Sequence, residues 1–171
     1  MRRVRYMVVA SLDGYIAGPN GEYDWIVANP ELDFATLLNQ FDTLLVGRRT
    51  FETMENANRV SMPGMKTLVF SRTLRETKYS DVSIASEEPQ KEIGKLQASS
   101  GKDLWLFGGG ELFSSLANQG LVNTVEITLM PILLGKGIPL APSLTKRVHL
   151  KQINHTLYKA GIVSLQYECV A

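Results

Sequence analysis

The chain has 171 residues, 44% hydrophobic and 20% charged, with a formal net charge of +1. That length and balance describe a single globular domain over residues 1–171, with one substantial core rather than a disordered chain. The near-neutral charge excludes a general basic field for nucleic acid, so any anion site is local. A single cysteine, Cys169, excludes an internal disulfide and a zinc site built on several cysteines. His149 and His155 have no metal-ligand spacing, and no metal is expected. The apolar run after the basic start reaches Asp13 too soon for a signal core. No stretch approaches the roughly 20 apolar residues of a spanning helix. The expectation is a cytoplasmic protein without nucleic-acid or membrane partners.

The elements alternate in chain order. Val4 to Ala10 reads as a strand, Ser11 to Gly14 as a turn or kink, and Tyr15 to Ala17 as further extended chain. Gly18-Pro19-Asn20-Gly21 is a strong turn signal. Glu31 to Phe41 carries apolar residues at helical spacing. Thr43 to Val46 is a buried-type strand ending at Gly47, and Thr50 to Asn56 a short helix with Thr50 as its cap. Lys66 to Phe70 and Val82 to Ala85 are strands. Glu87 to Ala98 is a helix with Pro89 in its first turn. Asp103 to Phe107 is a strand that runs into Gly108-Gly109-Gly110, and Glu111 to Asn118 is the helix that follows. Thr124 to Met130 alternates as a strand, and Pro131 to Pro142 reads as a long loop. His149 to Leu157 and Ile162 to Val170 form a hairpin about Lys159-Ala160-Gly161. Strands joined through helices need crossovers, so the fold class is α/β with a mixed, mostly parallel sheet, flanking helices and a C-terminal antiparallel hairpin.

Three strand ends carry the chemistry. Gly108 to Gly110 open a helix whose first N–H groups and dipole favour an anion such as a pyrophosphate. A tight strand–helix turn without ligand is the competing reading, and the spacing is not the dinucleotide fingerprint. Gly47-Arg48-Arg49-Thr50 puts two guanidinium groups at a helix start, where the dipole's positive end already stands. A bound phosphate resolves that conflict. Ser71-Arg72 follows a third strand. In open α/β sheets ligands bind at the carboxyl ends of the strands.

Val46-Gly47-Arg48-Arg49-Thr50-Phe51-Glu52, Val69-Phe70-Ser71-Arg72 and Phe107-Gly108-Gly109-Gly110-Glu111-Leu112 resemble, in order and spacing, the dihydrofolate reductase-like superfamily. Ala10-Ser11-Leu12-Asp13-Gly14-Tyr15-Ile16-Ala17 and Pro131 to Leu140 are similar to its riboflavin-pathway branch, the RibD C-terminal reductases. The resemblance covers nearly the whole chain. It implies an eight-stranded mixed sheet and NADPH as hydride donor. It assigns Arg48 to the 2′-phosphate, with Ser71 and Arg72 beside it. Gly47, Arg49 and Thr50 approach the pyrophosphate. Phe107, Gly108, Gly109, Gly110, Glu111 and Leu112 pack under the pyrophosphate and nicotinamide side. Ala10 and Ile16 border the nicotinamide.

The resemblance also places Asp13 beside the nicotinamide as a catalytic candidate; its other reading is a turn residue. Trp25 lines the substrate pocket or belongs to the core. Glu31 stands near the acidic anchor of folate reductases, or complements a helix dipole. Lys136 meets a substrate phosphate, or is an ordinary exposed lysine. The implied activity is reduction of a small heterocycle of the 5-amino-6-(5-phosphoribosylamino)uracil type. Dihydrofolate reduction and a non-catalytic nucleotide-binding module are the alternatives. A homodimer through sheet edges or C-terminal strands is the expected assembly.

Overall fold

Val4, Tyr6 and Val8 of the first strand pack in one hydrophobic cluster, while Met7 packs in another. Leu104 and Leu106 repeat the pattern against Trp105 and Phe107. A strand apolar on both sides belongs in the middle of a sheet covered on both faces. The computed structural model, which describes residues 1–85 and 87–170, has that architecture.

The strands are β1 (Val4–Ser11), β2 (Tyr15–Ala17), β3 (Phe41–Gly47), β4 (Lys66–Phe70), β5 (Val82–Ile84), β6 (Asp103–Gly108), β7 (Thr124–Met130), β8 (Ile138–Pro139), β9 (His149–Leu157) and β10 (Val163–Val170). The helices are α1 (Phe34–Leu38), α2 (Arg48–Asn56), α3 (Pro89–Ala98) and α4 (Gly110–Asn118). Eight strands form one sheet in the order β5-β4-β3-β6-β1-β7-β10-β9, and β2 pairs with β8 apart from it. From β5 to β7 all neighbours are parallel, and β10 and β9 close the sheet antiparallel. Ile93 of α3 and Leu112, Phe113 and Leu116 of α4 cover one face. Phe51 and Met54 of α2, with Met65, cover part of the other. Among the described residues no helix is long and apolar enough to cross a membrane, and no cluster of His, Cys, Asp or Glu could hold a metal.

Beyond shifts of one or two residues at element ends, three features differ from the sequence reading. The helix expected over Glu31 to Phe41 shrinks to Phe34–Leu38. Asp33 caps it, accepting from the Thr36 backbone N–H at 3.0 Å and the Thr36 hydroxyl at 2.6 Å. Phe41 leaves the helical register because it pairs with Asp103 in the sheet. The second helix begins at Arg48, so Thr50 lies inside it and Gly47 stands at its cap. The expected loop from Pro131 to Pro142 contains β8, whose partner is remote in sequence.

Candidate active site

Four parallel strands end along one edge of the sheet, β1 at Ser11, β3 at Gly47, β4 at Phe70 and β6 at Gly108. α2 starts directly after Gly47 and α4 after Gly109, and no side chain caps either helix. Two sets of first-turn amides therefore lie at the same edge, the arrangement that favours an anion. A cleft of about 1710 Å³ opens there, lined at this end by Gly47, Arg49, Thr50, Arg72 and Gly108–Gly110. Arg48, Ile16, Phe107, Glu111 and Leu112 line it as well.

The conflict between Arg48 and the helix dipole is met within the chain. Its Nε donates to Glu52 Oε1 at 2.6 Å and an Nη to Thr73 Oγ1 at 2.7 Å. Arg49 and Arg72 are exposed, and among the described residues their guanidinium groups have no ion pair or hydrogen bond. Ser71 turns its hydroxyl inward to the local turn, accepting from the N–H groups of Thr73 (3.2 Å) and Leu74 (2.9 Å). Ala10 is buried in the core behind the strand end. The Gly108–Gly109 peptide is cis. A Cβ on Gly109 would stand 3.3 Å from Thr50 Oγ1, so α2 and α4 approach each other through this glycine. A Cβ on Gly110 would stand 2.5 Å from Pro139 O and 2.9 Å from Leu140 O. The third glycine thus answers to the backbone of the 138–140 segment, which crosses it directly.

Asp13 holds that segment's approach. Its carboxylate accepts from Ser11 Oγ at 2.6 Å, from the Leu134 N–H at 3.1 Å and from the Gly135 N–H at 2.7 Å. The Ser11 hydroxyl foremost, then the two amides, hold the carboxyl below its ordinary range. Ladder bonds between β2 and β8, and the Leu140 N–H donated to Gly14 O at 2.9 Å, fasten the same loop. Asp13 is therefore exposed but fully engaged as a loop tether.

The cleft continues across the second face of the sheet. Met7, Val9 and Phe107 form an apolar floor, with Met54 of α2 and Phe34 and Leu37 of α1 along its sides. The hydroxyls of Thr128 and Ser164, 2.9 Å apart, border the floor on β7 and β10. Further along, Arg5 grips Glu126 with two hydrogen bonds, Nε to Oε1 at 2.6 Å and Nη2 to Oε2 at 2.8 Å. Its remaining Nη donates to Gln40 at 2.7 Å, and the guanidinium lies 4.7 Å from the Phe41 ring centroid. Such a pair is neutral to an incoming ligand, because each charge is already answered.

Trp25, Glu31 and Lys136 do not line this cleft. Trp25 donates its indole N–H to Glu22 O at 3.1 Å. Glu31 accepts from the Lys159 backbone N–H at 2.8 Å and pairs with its ammonium at 3.8 Å. Lys136 is exposed. The sequence reading missed Met7, Val9, Phe34, Leu37, Thr128 and Ser164. The alternation in β1 was the available signal for the first two; for the others only the sheet order brings them over one floor.

The family pattern of the RibD C-terminal domain matches residues 2–164. The chain is similar to the uncharacterized protein YyaP of Bacillus subtilis (strain 168), 34% identical over 178 residues, covering 97% of this chain and 94% of that protein. It superposes on a putative riboflavin biosynthesis protein from Shewanella sp. PV-4 with a TM-score of 0.88 and 27% identity over the whole of both chains. The Thermotoga maritima diaminohydroxyphosphoribosylaminopyrimidine deaminase/5-amino-6-(5-phosphoribosylamino)uracil reductase follows at TM-score 0.76 and 17% identity, over 99% of this chain and 57% of that one. A dihydrofolate reductase from Enterococcus faecalis, complexed with NADP(H), superposes at TM-score 0.71 and 17% identity over 99% and 97%. At the lower identities the likeness is one of fold, and the expected dihydrofolate reductase-like sheet is present.

Proposed function

The chain belongs to the RibD C-terminal domain family, and from that membership we propose that it is an NADPH-dependent reductase of the 5-amino-6-(5-phosphoribosylamino)uracil type. The observation that carries the reading is the pair of uncapped helix starts, with Arg49 and Arg72 beside them, opening onto an apolar floor. A dinucleotide fits the donor set. Arg72 would take the 2′-phosphate, with Arg48 beside it held by Glu52 and Thr73. Thr50, Arg49 and the amides after Gly109 would take the pyrophosphate. When bound, the cofactor supplies the hydride. The protein's own part is orientation: Met7, Val9 and Phe107 give a planar ring a flat bed, and the loop tethered by Asp13 covers the nicotinamide end. Asp13 then acts by positioning.

The carboxylates favour a neutral ring over dihydrofolate. Each one lining the cleft is engaged, Glu52 by Arg48, Glu111 by Ser143 Oγ at 2.5 Å, and Glu126 by Arg5. α1 carries no acid, Asp33 caps it, and Glu31 is tied to Lys159. No free carboxylate among the described residues of the cleft stands ready to anchor a pterin. The reading includes a two-fold homodimer, since β9 is an unpaired edge with Leu150, Ile153 and Leu157 exposed.

Two measurements test the function. NADPH consumption is followed with the phosphoribosylamino uracil and with dihydrofolate; turnover of the first is expected. NADPH and NADH are titrated by tryptophan fluorescence. NADPH should bind more tightly, and Arg72→Ala should narrow the gap by roughly 1–3 kcal/mol. Equal cofactor affinities, or turnover of dihydrofolate alone, would defeat the proposal.

A further inference from the structure

Away from the proposed cofactor edge, the floor of the cleft changes character. Val9 of β1 pairs with Thr128 of β7, and Thr128 with Ser164 of β10. Paired residues share a face, so the row runs from an aliphatic side chain to two hydroxyls, about 4.8 Å per strand. All three line the cleft. Ile127, next to Thr128 in the strand, packs on the opposite face with the α4 core. Phe51 and Met54 of α2, which cover the cleft face, belong to a cluster that among the described residues includes none from β7 or β10. Both hydroxyls are half-buried and bond each other at 2.9 Å; among the described residues neither side chain has another hydrogen bond. A hydroxyl carries one donor and two acceptor sites. Whichever of the two donates in that contact, its partner keeps a free O–H and the donor keeps free lone pairs. The pair therefore presents one donor and one acceptor side by side. One step along the same face, Glu126 is answered by Arg5 at 2.6 and 2.8 Å.

Resting on the reductase reading above, we infer that Thr128 and Ser164 read the edge of the substrate ring that faces away from the cofactor, and that this edge is a lactam, an N–H beside a C=O. A ring lying on Val9 and Phe107, with the cofactor on the β3–β6 side, turns its far edge over Thr128, one strand away. A lactam is the complement of the hydroxyl pair. Its N–H donates to a hydroxyl lone pair, and its C=O accepts from the free O–H. Both sides are neutral, so neither needs a counter-charge. An amidine edge carries donors only and calls instead for a carboxylate. Each carboxylate lining the cleft is already engaged. Half-burial gives the pair its selectivity, because a ring without the lactam N–H leaves a desolvated hydroxyl unpaired.

A cross-strand Thr–Ser pair also steadies a sheet by itself, so the test needs a readout that stability does not move. KM is measured for the phosphoribosylamino uracil and for the same compound methylated at N3, the ring N–H between the two carbonyls. In wild type the methyl group should raise KM roughly 10-fold, the loss of a hydrogen-bond pair. The double variant Thr128→Val/Ser164→Ala should raise KM for the parent compound by a similar factor, with kcat falling far less, and should make the two compounds nearly equal. Thr128→Ser, which keeps the hydroxyl, should recover the discrimination. A methyl group that wild type tolerates, a methyl effect that survives in the double variant, or a loss of Tm with no change in KM overturns the assignment. In parallel, 6-aminouracil and 3-methyl-6-aminouracil are compared by saturation-transfer NMR on NADP⁺-saturated protein. A preference for the unmethylated ring, lost in the double variant, supports the assignment even if neither phosphoribosylamino compound is reduced, in which case only the reductase reading falls. No preference in wild type rejects the assignment.

Discussion

Alanine at Gly110 and at Gly94 should have opposite effects, and the pair isolates one physical cause. Both glycines lie in helices, α4 and α3. On helix propensity alone each change to alanine stabilises, by up to about 1 kcal/mol in a helix interior. At Gly94 nothing stands within 4 Å of the new Cβ, so the propensity gain is realised. At Gly110 the Cβ meets Pro139 O at 2.5 Å, Pro142 Cδ at 2.8 Å and Leu140 O at 2.9 Å. Two of these are backbone atoms, and they belong to the segment that Asp13 and β2 hold in place. Ordinary contact therefore requires moving α4 against a tethered loop. Overpacking of this kind costs roughly 1–3 kcal/mol, more than the propensity gain at a first-turn position. With an unfolding entropy of about 2.1 cal/mol/K per residue, a domain of this size loses about 3–8 °C in Tm for that cost. Gly94→Ala should gain about 2–3 °C on the same scale. Differential scanning calorimetry reads both, and NADPH titration should show weaker binding for Gly110→Ala only, because α4 starts at the edge proposed for the cofactor. A Gly110→Ala protein as stable as Gly94→Ala would refute the claim that the 138–140 backbone dictates this glycine.

The Asp13 tether predicts a pH signature. Its folded carboxyl titrates below the ordinary value, so its stabilisation is present above about pH 4 and fades as pH falls through the depressed value. Asp13→Asn should lower Tm and turnover at pH 7 with NADPH affinity nearly unchanged, and the Tm gap should close in acid; a gap that is pH-independent rules out the carboxylate as its source. For assembly, light scattering should return about twice the 19.0 kDa protomer mass, and Ile153→Lys on the exposed β9 should return the protomer mass. A protomer mass for wild type at micromolar concentration removes the dimer.

The order of strands and helices was legible because its signals are local. Gly47 and Gly108 end strands, Pro89 opens a helix, and Lys159 to Gly161 turns the hairpin, each through backbone preferences of a few neighbouring residues. The anion-friendly strand ends were legible for the same reason. What sequence could not rank was which charges remain free. Arg48 and Arg49 are adjacent and chemically alike, yet Glu52 and Thr73 engage the first and leave the second open. Asp13 as tether, Phe41 as strand and β8 as partner of β2 all depend on atoms brought together from distant parts of the chain. Thr128 and Ser164 show the division most clearly. Each sits in a strand that local alternation announces, but the pair they make at the border of the floor exists only once β10 lies beside β7. Propensities act between neighbours; the partner that neutralises a charge, or leaves it for a ligand, is chosen by packing.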